Sequence, residues 1–247
     1  MKTAVLIFGM LRQFSIAAKT WNFDKYLDCD YYMSTWNKSI QKIDYNAEEA
    51  FHNYMTFDVT EEYIRQVIPN INCSILEEKE IFPLDCSTQA KMFFHWKNVF
   101  NLMVKSQKKY DLIVLIRPDI TLSIRSMGAL IDDPLDTPIT NWKYDREALY
   151  CDDLMKIRKV APTEFSPDGF EYLSNDLLFC GSPKVMTEFI NLIPDMNDDK
   201  FKYHTWSSHV DLGRILKSSG LYPNDLHPFY VSYPVRPHPW QTNPSDL

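Results

Sequence analysis

Short apolar runs alternate with longer amphipathic segments along the first half of the chain. The most apolar run, Leu112–Ile116, is too short for an ordinary soluble helix and has no polar position, so it predicts a strand buried on both faces. Pro118 cannot donate a ladder hydrogen bond, so we expect this strand to end just before it. Three further strands are predicted before it, over Thr3–Phe8, Asp30–Trp36 and Asn72–Glu77.

Helical patterns fill the intervals between these strands. The first covers Phe14–Tyr26, and the second covers Thr60–Val67, with Thr60 as its N-cap. The longest, Ser87–Lys109, repeats apolar residues at helical spacing, which predicts a core-facing stripe. The stripe consists of Met92, Trp96, Val99, Phe100 and Met103. Because strands alternate with helices, we predict an α/β fold with a Rossmann-type, mostly parallel central sheet flanked by helices.

The second half of the chain predicts a mixed α+β region. Short edge strands are expected at 137–142 and 148–151, a further strand within 175–181, and an alternating strand at 230–233. Helices are predicted over Pro183–Leu192 and Thr205–Ser219, the latter closed by Gly220. Segments 158–169 and 195–204 predict loop, and segment 40–57 predicts loop with a short helix. Neither a repeat nor a linker divides the chain.

Composition narrows the class of protein. The 247 residues carry a net charge of -7 without a dense Lys/Arg cluster, which argues against a general nucleic-acid binder. The five cysteines include no C-x-x-C pair, so we expect reduced thiols in a cytosolic setting rather than a zinc ribbon or a disulfide framework. No apolar stretch approaches the length needed to cross a bilayer. We therefore expect a cytoplasmic protein with no membrane span.

Polar and charged residues collect where the predicted strands end. In open α/β sheets, ligands bind in the crevice outside the carboxyl ends of the strands. Gly9 would let the backbone approach a ligand, and Arg12 would reach its phosphate; a plain tight turn with an exposed arginine is the alternative. Thr35 and Trp36 close the second strand, and Trp36 could either stack on a sugar or base or simply pack.

Two carboxylates flank apolar strands, one in each half of the chain. If Asp119 and Asp176 meet in one cleft, one could ligate magnesium or manganese and the other could act as general base on a hydroxyl. Arg117 could hold a phosphate through bidentate contacts. The alternatives are a solvated strand end at Arg117 and Asp119, and a turn or cap role for Asp176 after Asn175.

Five short motifs occur together in a specific order. They are I-x-G-x-x-R-x-F at Ile7–Phe14, S-T-W at Ser34–Trp36, a loosely matched Ser87, Gln89 and Lys91 at the long helix, R-x-D at Arg117–Asp119, and N-D-x-x-x-x-G at Asn175–Gly181. In this order they resemble a group of small GT-A-type glycosyltransferases of bacterial polysaccharide clusters and of phage or large-virus genomes.

The resemblance implies one GT-A-like domain over 1–247, with a nucleotide-binding half at 1–125 and an acceptor-binding half at 126–247. It implies a nucleotide-sugar donor and a hydroxyl acceptor on a glycan, a lipid-linked molecule or a protein. The catalytic residues would be Asp119 and Asp176. The donor-binding residues would be Gly9, Arg12, Thr35, Trp36, Lys91 and Arg117.

One position departs from the family pattern. Asp119 stands where the last carboxylate of the Asp-x-Asp metal motif stands, but Arg117 replaces the first. A guanidinium there could bind the diphosphate and supply part of the charge of a metal, while Asp119 still permits one Mn²⁺ or Mg²⁺. Two other functions remain open: another nucleotide-dependent transferase, or a non-catalytic nucleotide- or sugar-binding relic of the same fold. The base, the sugar, the stereochemistry and the oligomeric state are not specified by the sequence.

Overall fold

A computed structural model describes residues 1–42, 54–82, 88–124, 145–151, 155–162, 167–194, 208–225 and 229–232. Its strands are β1 (Lys2–Phe8), β2 (Asp28–Trp36), β3 (Lys38–Lys42), β4 (Tyr54–Asp58), β5 (Ile71–Leu76), β6 (Leu112–Ile116), β7 (Thr121–Ile124), β8 (Tyr150–Cys151), β9 (Lys156–Lys159), β10 (Phe170–Leu173), β11 (Leu178–Gly181), β12 (Asn224–Asp225) and β13 (Phe229–Ser232). Its helices are α1 (Phe14–Ala17), α2 (Phe23–Tyr26), α3 (Glu61–Val67), α4 (Glu78–Ile81), α5 (Thr88–Lys105), α6 (Pro183–Leu192) and α7 (Ser208–Ser219).

Seven strands form the main sheet, in the order β12-β8-β11-β6-β1-β2-β5. The first four of these along the chain, β1, β2, β5 and β6, are mutually parallel. Strand β11 enters antiparallel to β6, and β8 pairs antiparallel with β11. The predicted α/β fold with a mostly parallel central sheet is therefore confirmed, and β6 is the middle strand.

The main sheet lies between two core clusters, because it carries apolar residues on both faces. All five residues of β6 are buried, as the unbroken apolar run predicts. Along β1, Val5 and Ile7 belong to one core cluster, whereas Leu6 and Phe8 belong to the other. Helix α5 packs on the second face against β1 and β2, and α6 packs beside it against β6 and β11. The core thus consists of two layers separated by the sheet.

Thr60 and Gly220, the two caps predicted among the described residues, act as predicted. Thr60 accepts a hydrogen bond from the Tyr63 N–H at 3.1 Å and starts α3. Helix α6 has the predicted bounds because Ser182 caps it and Pro183 stands at its first turn, where no intrahelical N–H is needed. Gly220 has φ +72° and ends α7. These local signals worked because each is satisfied within one helical turn.

The prediction of one helix over residues 14–26 is wrong. Helix α1 ends at Ala17, a 3₁₀ turn covers Ala18–Thr20, and α2 starts at Phe23. The break is stabilised from far along the chain, because the Trp21 indole N–H donates to the Ile120 carbonyl at 2.7 Å. A second bond runs from the Leu122 N–H to Thr20 Oγ1 at 2.9 Å. Helical periodicity could not reveal these partners.

Several other boundaries also differ from the predictions. Segment 40–57 contributes strands rather than a helix at its described ends, since β3 and β4 pair antiparallel. The predicted loop at 158–169 begins within β9, which pairs with β10. Strand β8 is not an edge strand, because β12 lies beyond it. Helix α5 ends at Lys105, and the unpredicted α4 precedes it. Ser87, the strand at 137–142, the loop at 195–204 and the start of the helix at 205 lie outside the described residues.

Among the helices in the described parts of the chain, none combines the length and apolar composition needed to cross a membrane. Four cysteines fall within the described residues, and none of the four forms a disulfide bond. They are Cys29, Cys73, Cys151 and Cys180.

Candidate functional site

The sheet order creates a topological switch point between β1 and β6. From β1 the chain moves outward through β2 to β5, and it then returns to the other side of β1 as β6. Connections on the two sides therefore diverge, and open α/β sheets bind ligands in the crevice that such a divergence leaves outside the carboxyl ends of the strands. Gly9 follows β1 and Arg117 follows β6, so both stand at this crevice.

Gly9 shapes the first wall of the crevice. Its N–H donates to the Ser34 carbonyl at 2.9 Å, which closes the turn against β2. Its φ of +97° is a conformation that side chains disfavour, and a Cβ added there would meet no atom of the described residues within 4 Å. The turn is therefore glycine-specific because of its backbone, and space is open beside it for close approach of a ligand.

Arg117 lies between the two predicted catalytic carboxylates. Its Nε donates to Asp119 Oδ1 at 3.0 Å and its Nη2 to Asp119 Oδ2 at 2.8 Å, a bidentate pair. Its Nη1 donates to Asp176 Oδ1 at 3.2 Å. The guanidinium therefore bridges a carboxylate of the first half of the chain and one of the second half.

Strand pairing explains why these residues meet. Strands β6 and β11 run antiparallel with Ile116 opposite Leu178. The backbone continues this pairing by one more bond, from the Arg117 N–H to the Leu177 carbonyl at 3.0 Å. Asp176 precedes Leu177, so the end of β6 and the start of β11 carry Arg117 and Asp176 to the same edge of the sheet.

Arg12 connects this cluster to the turn after β1. Its Nη1 lies 3.9 Å from Asp119 Oδ2, an ion-pair distance. Its side chain is 51% exposed, whereas those of Arg117, Asp119 and Asp176 are 19%, 9% and 6% exposed. The cluster is therefore open to solvent on the Arg12 side and closed on the Asp176 side. We name these four residues the arginine–aspartate cluster.

The cluster combines two guanidinium groups with two carboxylates. Buried carboxylates require charged or hydrogen-bonding partners, because desolvation of an unpaired charge costs several kcal/mol. Arg117 supplies such a partner to both Asp119 and Asp176. The arrangement rules out the reading of Arg117 and Asp119 as independently solvated charges, since Asp119 is only 6% exposed.

Three predicted donor-binding residues are placed apart from this cluster. Thr35 is fully buried, and its Oγ1 has no hydrogen-bond partner within the described residues. Trp36 is 4% exposed, stacks on Phe94 with ring centroids 5.9 Å apart, and packs in an aromatic cluster. The Lys91 ammonium forms an ion pair with Glu78. None of the contacts of these three among the described residues reaches the arginine–aspartate cluster.

A buried polar network below the Gly9 turn was missed by sequence reasoning. Ser34 Oγ lies 2.7 Å from His95 Nδ1, and the Asn98 amide donates to Ser34 Oγ at 2.9 Å and to Ser74 Oγ at 3.2 Å. Burial lowers the pKa of His95 to about 3, so the ring is neutral at physiological pH. The spacing of His95 and Asn98 on one helical face was the available signal.

His95 is held on one side by the serine of this network. Asn98 donates to Ser34 Oγ, and the same oxygen lies at hydrogen-bond distance from His95 Nδ1. Nε2 is buried and has no hydrogen-bond partner within the described residues, and the ring lies against Trp36 with centroids 4.1 Å apart. The network fixes the middle of α5 onto β2 and β5.

The donor set does not match a preformed divalent-metal site. No group of three or more His, Cys, Asp or Glu side chains suited to a metal exists within the described ranges. At the predicted position both oxygens of Asp119 accept hydrogen bonds from Arg117. Mg²⁺ and Mn²⁺ need several oxygen ligands, and a guanidinium in contact with the carboxylate opposes a second cation there.

Comparison with known proteins finds neither a matching family model nor a matching curated protein.

Proposed function

We propose that the protein is a glycosyltransferase that moves a sugar from a nucleotide-sugar donor to a hydroxyl on a glycan, a lipid-linked molecule or a protein. The observation that carries the proposal is the contact between Arg12 and Asp119 across the switch point. It joins the glycine turn after β1 to the carboxyl end of β6, where α/β sheets bind ligands. The motif resemblance supplies the reaction class.

The exposure of the cluster supports a donor that enters from the Arg12 side. The diphosphate of a nucleotide-sugar gains negative charge as the bond to the sugar breaks, and fixed cations stabilise that charge. Arg12 is half exposed and lies beside the glycine turn, so its guanidinium can meet a phosphate without leaving the crevice. Gly9 leaves the space in which the phosphates would approach the backbone.

The carboxylates suit the sugar and the acceptor. In the proposed reaction the acceptor oxygen forms a bond to the anomeric carbon, and the bond from that carbon to the diphosphate oxygen breaks. The electron pair leaves with the diphosphate, and the acceptor proton passes to a base. We assign that base to Asp176, and we assign Asp119 to the positioning of the sugar. Arg117 holds both carboxylates in fixed orientations through its hydrogen bonds.

Thermal stabilisation by a panel of uridine, guanosine, cytidine and adenosine diphosphates and their sugar conjugates tests the proposal. We expect at least one nucleotide to raise Tm in the wild-type chain and to lose most of that effect in R12A. The matched control is R65A, because the Arg65 side chain is similarly exposed and also forms an ion pair, with Glu61. Arg65 lies in the last turn of α3, which leads into the start of β5, so it is at the opposite end of the sheet from Arg12. A panel without any stabilising nucleotide would contradict the proposal.

A second measurement separates an enzyme from a binding protein. Slow hydrolysis of the stabilising nucleotide-sugar, detected as release of free sugar, is expected for a glycosyltransferase that lacks its acceptor. We expect D176N to reduce this release more than it reduces nucleotide binding, because Asp176 lies on the buried side of the cluster. Tight binding without hydrolysis or transfer would instead indicate a nucleotide- or sugar-binding relic.

A further inference from the structure

Arg117 occupies the place between two carboxylates that a bridging cation would otherwise take. Three of its guanidinium nitrogens each donate to a carboxylate oxygen, two to Asp119 and one to Asp176, at 2.8–3.2 Å. Both carboxylates are buried, with Asp119 6% and Asp176 4% exposed. The guanidinium thus provides the positive charge on which both buried acids depend.

We propose that Arg117 is a built-in cation of the site, so that nucleotide binding by this protein requires no divalent metal, and that Arg12 is the arginine that contacts the diphosphate. The inference rests on the proposed function for the identity of the ligand, but its statement about metal binding can be tested on the protein alone. It reassigns Arg117 from a phosphate-binding residue to a positioning residue.

Both carboxylate oxygens of Asp119 already accept hydrogen bonds. A hard divalent cation binds carboxylate oxygens directly, at about 2.0–2.1 Å for Mg²⁺. Oδ1 already accepts from Arg117 Nε, and Oδ2 already accepts from Arg117 Nη2. A divalent cation on the remaining lone pairs would lie beside the Arg117 guanidinium, and the repulsion between the two cations opposes its binding.

Arg12 and Arg117 differ in their environment. The Arg117 side chain is 19% exposed and is held by short hydrogen bonds to two acids. The Arg12 side chain is 51% exposed, and its closest ion-pair distance to Asp119 is 3.9 Å. Arg12 can therefore turn toward a phosphate at little cost, whereas Arg117 would give up three hydrogen bonds to two buried carboxylates.

Arg12 and Arg117 also differ in their position in the fold. Arg12 belongs to the turn after β1, beside the open space at Gly9. Arg117 is fixed by its backbone N–H to the Leu177 carbonyl at 3.0 Å, so its starting point is part of the sheet ladder. A residue tied into the ladder holds other groups in place, and a residue on a turn is better suited to follow a ligand.

Electron paramagnetic resonance of Mn²⁺ mixed with the protein tests the inference without any nucleotide. We expect the wild-type chain to leave the signal of free Mn²⁺ unchanged. R117D replaces the cation by a carboxylate two residues before Asp119, so we expect it to bind Mn²⁺ at least tenfold more tightly than the wild-type chain. Mn²⁺ binding by the wild-type chain that disappears in D119N would overturn the inference.

A nucleotide arm tests the role of each arginine. With the nucleoside diphosphate that stabilises the wild-type chain most, we expect Kd to change less than twofold between excess chelator and Mn²⁺. We expect R12A to raise Kd at least tenfold. R117K, which keeps one positive charge without the bidentate fork, should raise Kd less than R12A does. A wild-type Kd that falls tenfold or more on addition of Mn²⁺ would overturn the inference and leave the proposed function intact.

The two proposals fail in different ways. If no nucleotide binds with or without Mn²⁺, the proposed function fails, and the resonance measurement alone decides the inference. If R117D does not fold, the comparison of the wild-type chain with D119N still decides whether Asp119 holds a metal.

Discussion

Arg117 and Asp176 come from different halves of the chain, yet Arg117 Nη1 donates to Asp176 Oδ1 at 3.2 Å. The contact follows from the antiparallel insertion of β11 beside β6, which brings the end of one strand to the start of the other. It makes the guanidinium the common partner of two buried acids. This guanidinium therefore contributes to the stability of this edge of the sheet.

Removal of that cation should destabilise the protein strongly. We expect R117M to lower the free energy of unfolding by about 3–5 kcal/mol, because it removes the guanidinium that pairs with two buried carboxylates. Urea denaturation measures the loss. The matched control is R158M, which breaks the ion pair of Arg158 with Glu171 on a side chain that is 64% exposed. That loss should be about 1 kcal/mol or less. Equal losses in the two variants would contradict the role of Arg117 as a buried cation.

Replacement of Gly9 should affect both backbone strain and ligand binding. We expect G9A to cost about 1–3 kcal/mol in unfolding free energy, since φ is +97°. The control is G220A, which also has a positive φ, +72°, and open space for a Cβ. Both variants should lose stability, but only G9A should weaken nucleoside diphosphate binding. Equal nucleotide affinity in G9A and the wild-type chain would remove the Gly9 turn from the site.

The buried histidine predicts a specific dependence of stability on pH. The pKa of His95 is lowered by burial from 6.5 to about 3, so the unfolded chain binds a proton there that the folded chain does not. The part of the unfolding free energy that depends on a neutral His95 is fully present above pH 6.5 and is lost as the pH falls toward 3. Between pH 7 and pH 5 this loss should be about 2 kcal/mol. Urea denaturation at both pH values should show it in the wild-type chain, and H95N should lack this part.

Trp21 should stabilise the turn that carries Asp119. Its indole N–H donates to the buried Ile120 carbonyl at 2.7 Å, so we expect W21F to cost about 1–3 kcal/mol beyond the ring contraction itself. The control is W96F, because Trp96 is fully buried and its Nε1 has no hydrogen-bond partner within the described residues. We also expect W21F to weaken nucleotide binding, measured by titration. A smaller stability loss in W21F than in W96F would count against this hydrogen bond.

Local signals in the sequence were enough to predict those elements whose stabilising features lie within a single segment. The run Leu112–Ile116 predicts a buried strand, because both faces of the strand are apolar. Helix α6 has its cap, its first-turn proline and its apolar face within one short segment. Prediction failed where a distant partner decides the conformation. The 14–26 segment is broken because Trp21 and Thr20 bond to residues of the segment that follows Asp119.

The candidate site shows the same division. Residue types and strand ends nominated Arg12, Arg117, Asp119 and Asp176, and the structure brings all four into one cluster. The same reasoning nominated Trp36, which instead packs in an aromatic cluster. The apolar pattern of a strand shows where the strand ends, but the side chains that surround its last residue come from other parts of the fold.

The sequence by itself determined the α/β alternation, the central strand and the charged residues at its end, because these depend on periodicity and on neighbours along the chain. The tertiary structure alone decided that Arg117 faces two acids rather than solvent, that Arg12 is the more exposed arginine, and that His95 is buried and neutral. The physical reason is that charge pairing and desolvation depend on distances across the sheet, which strand order and register set.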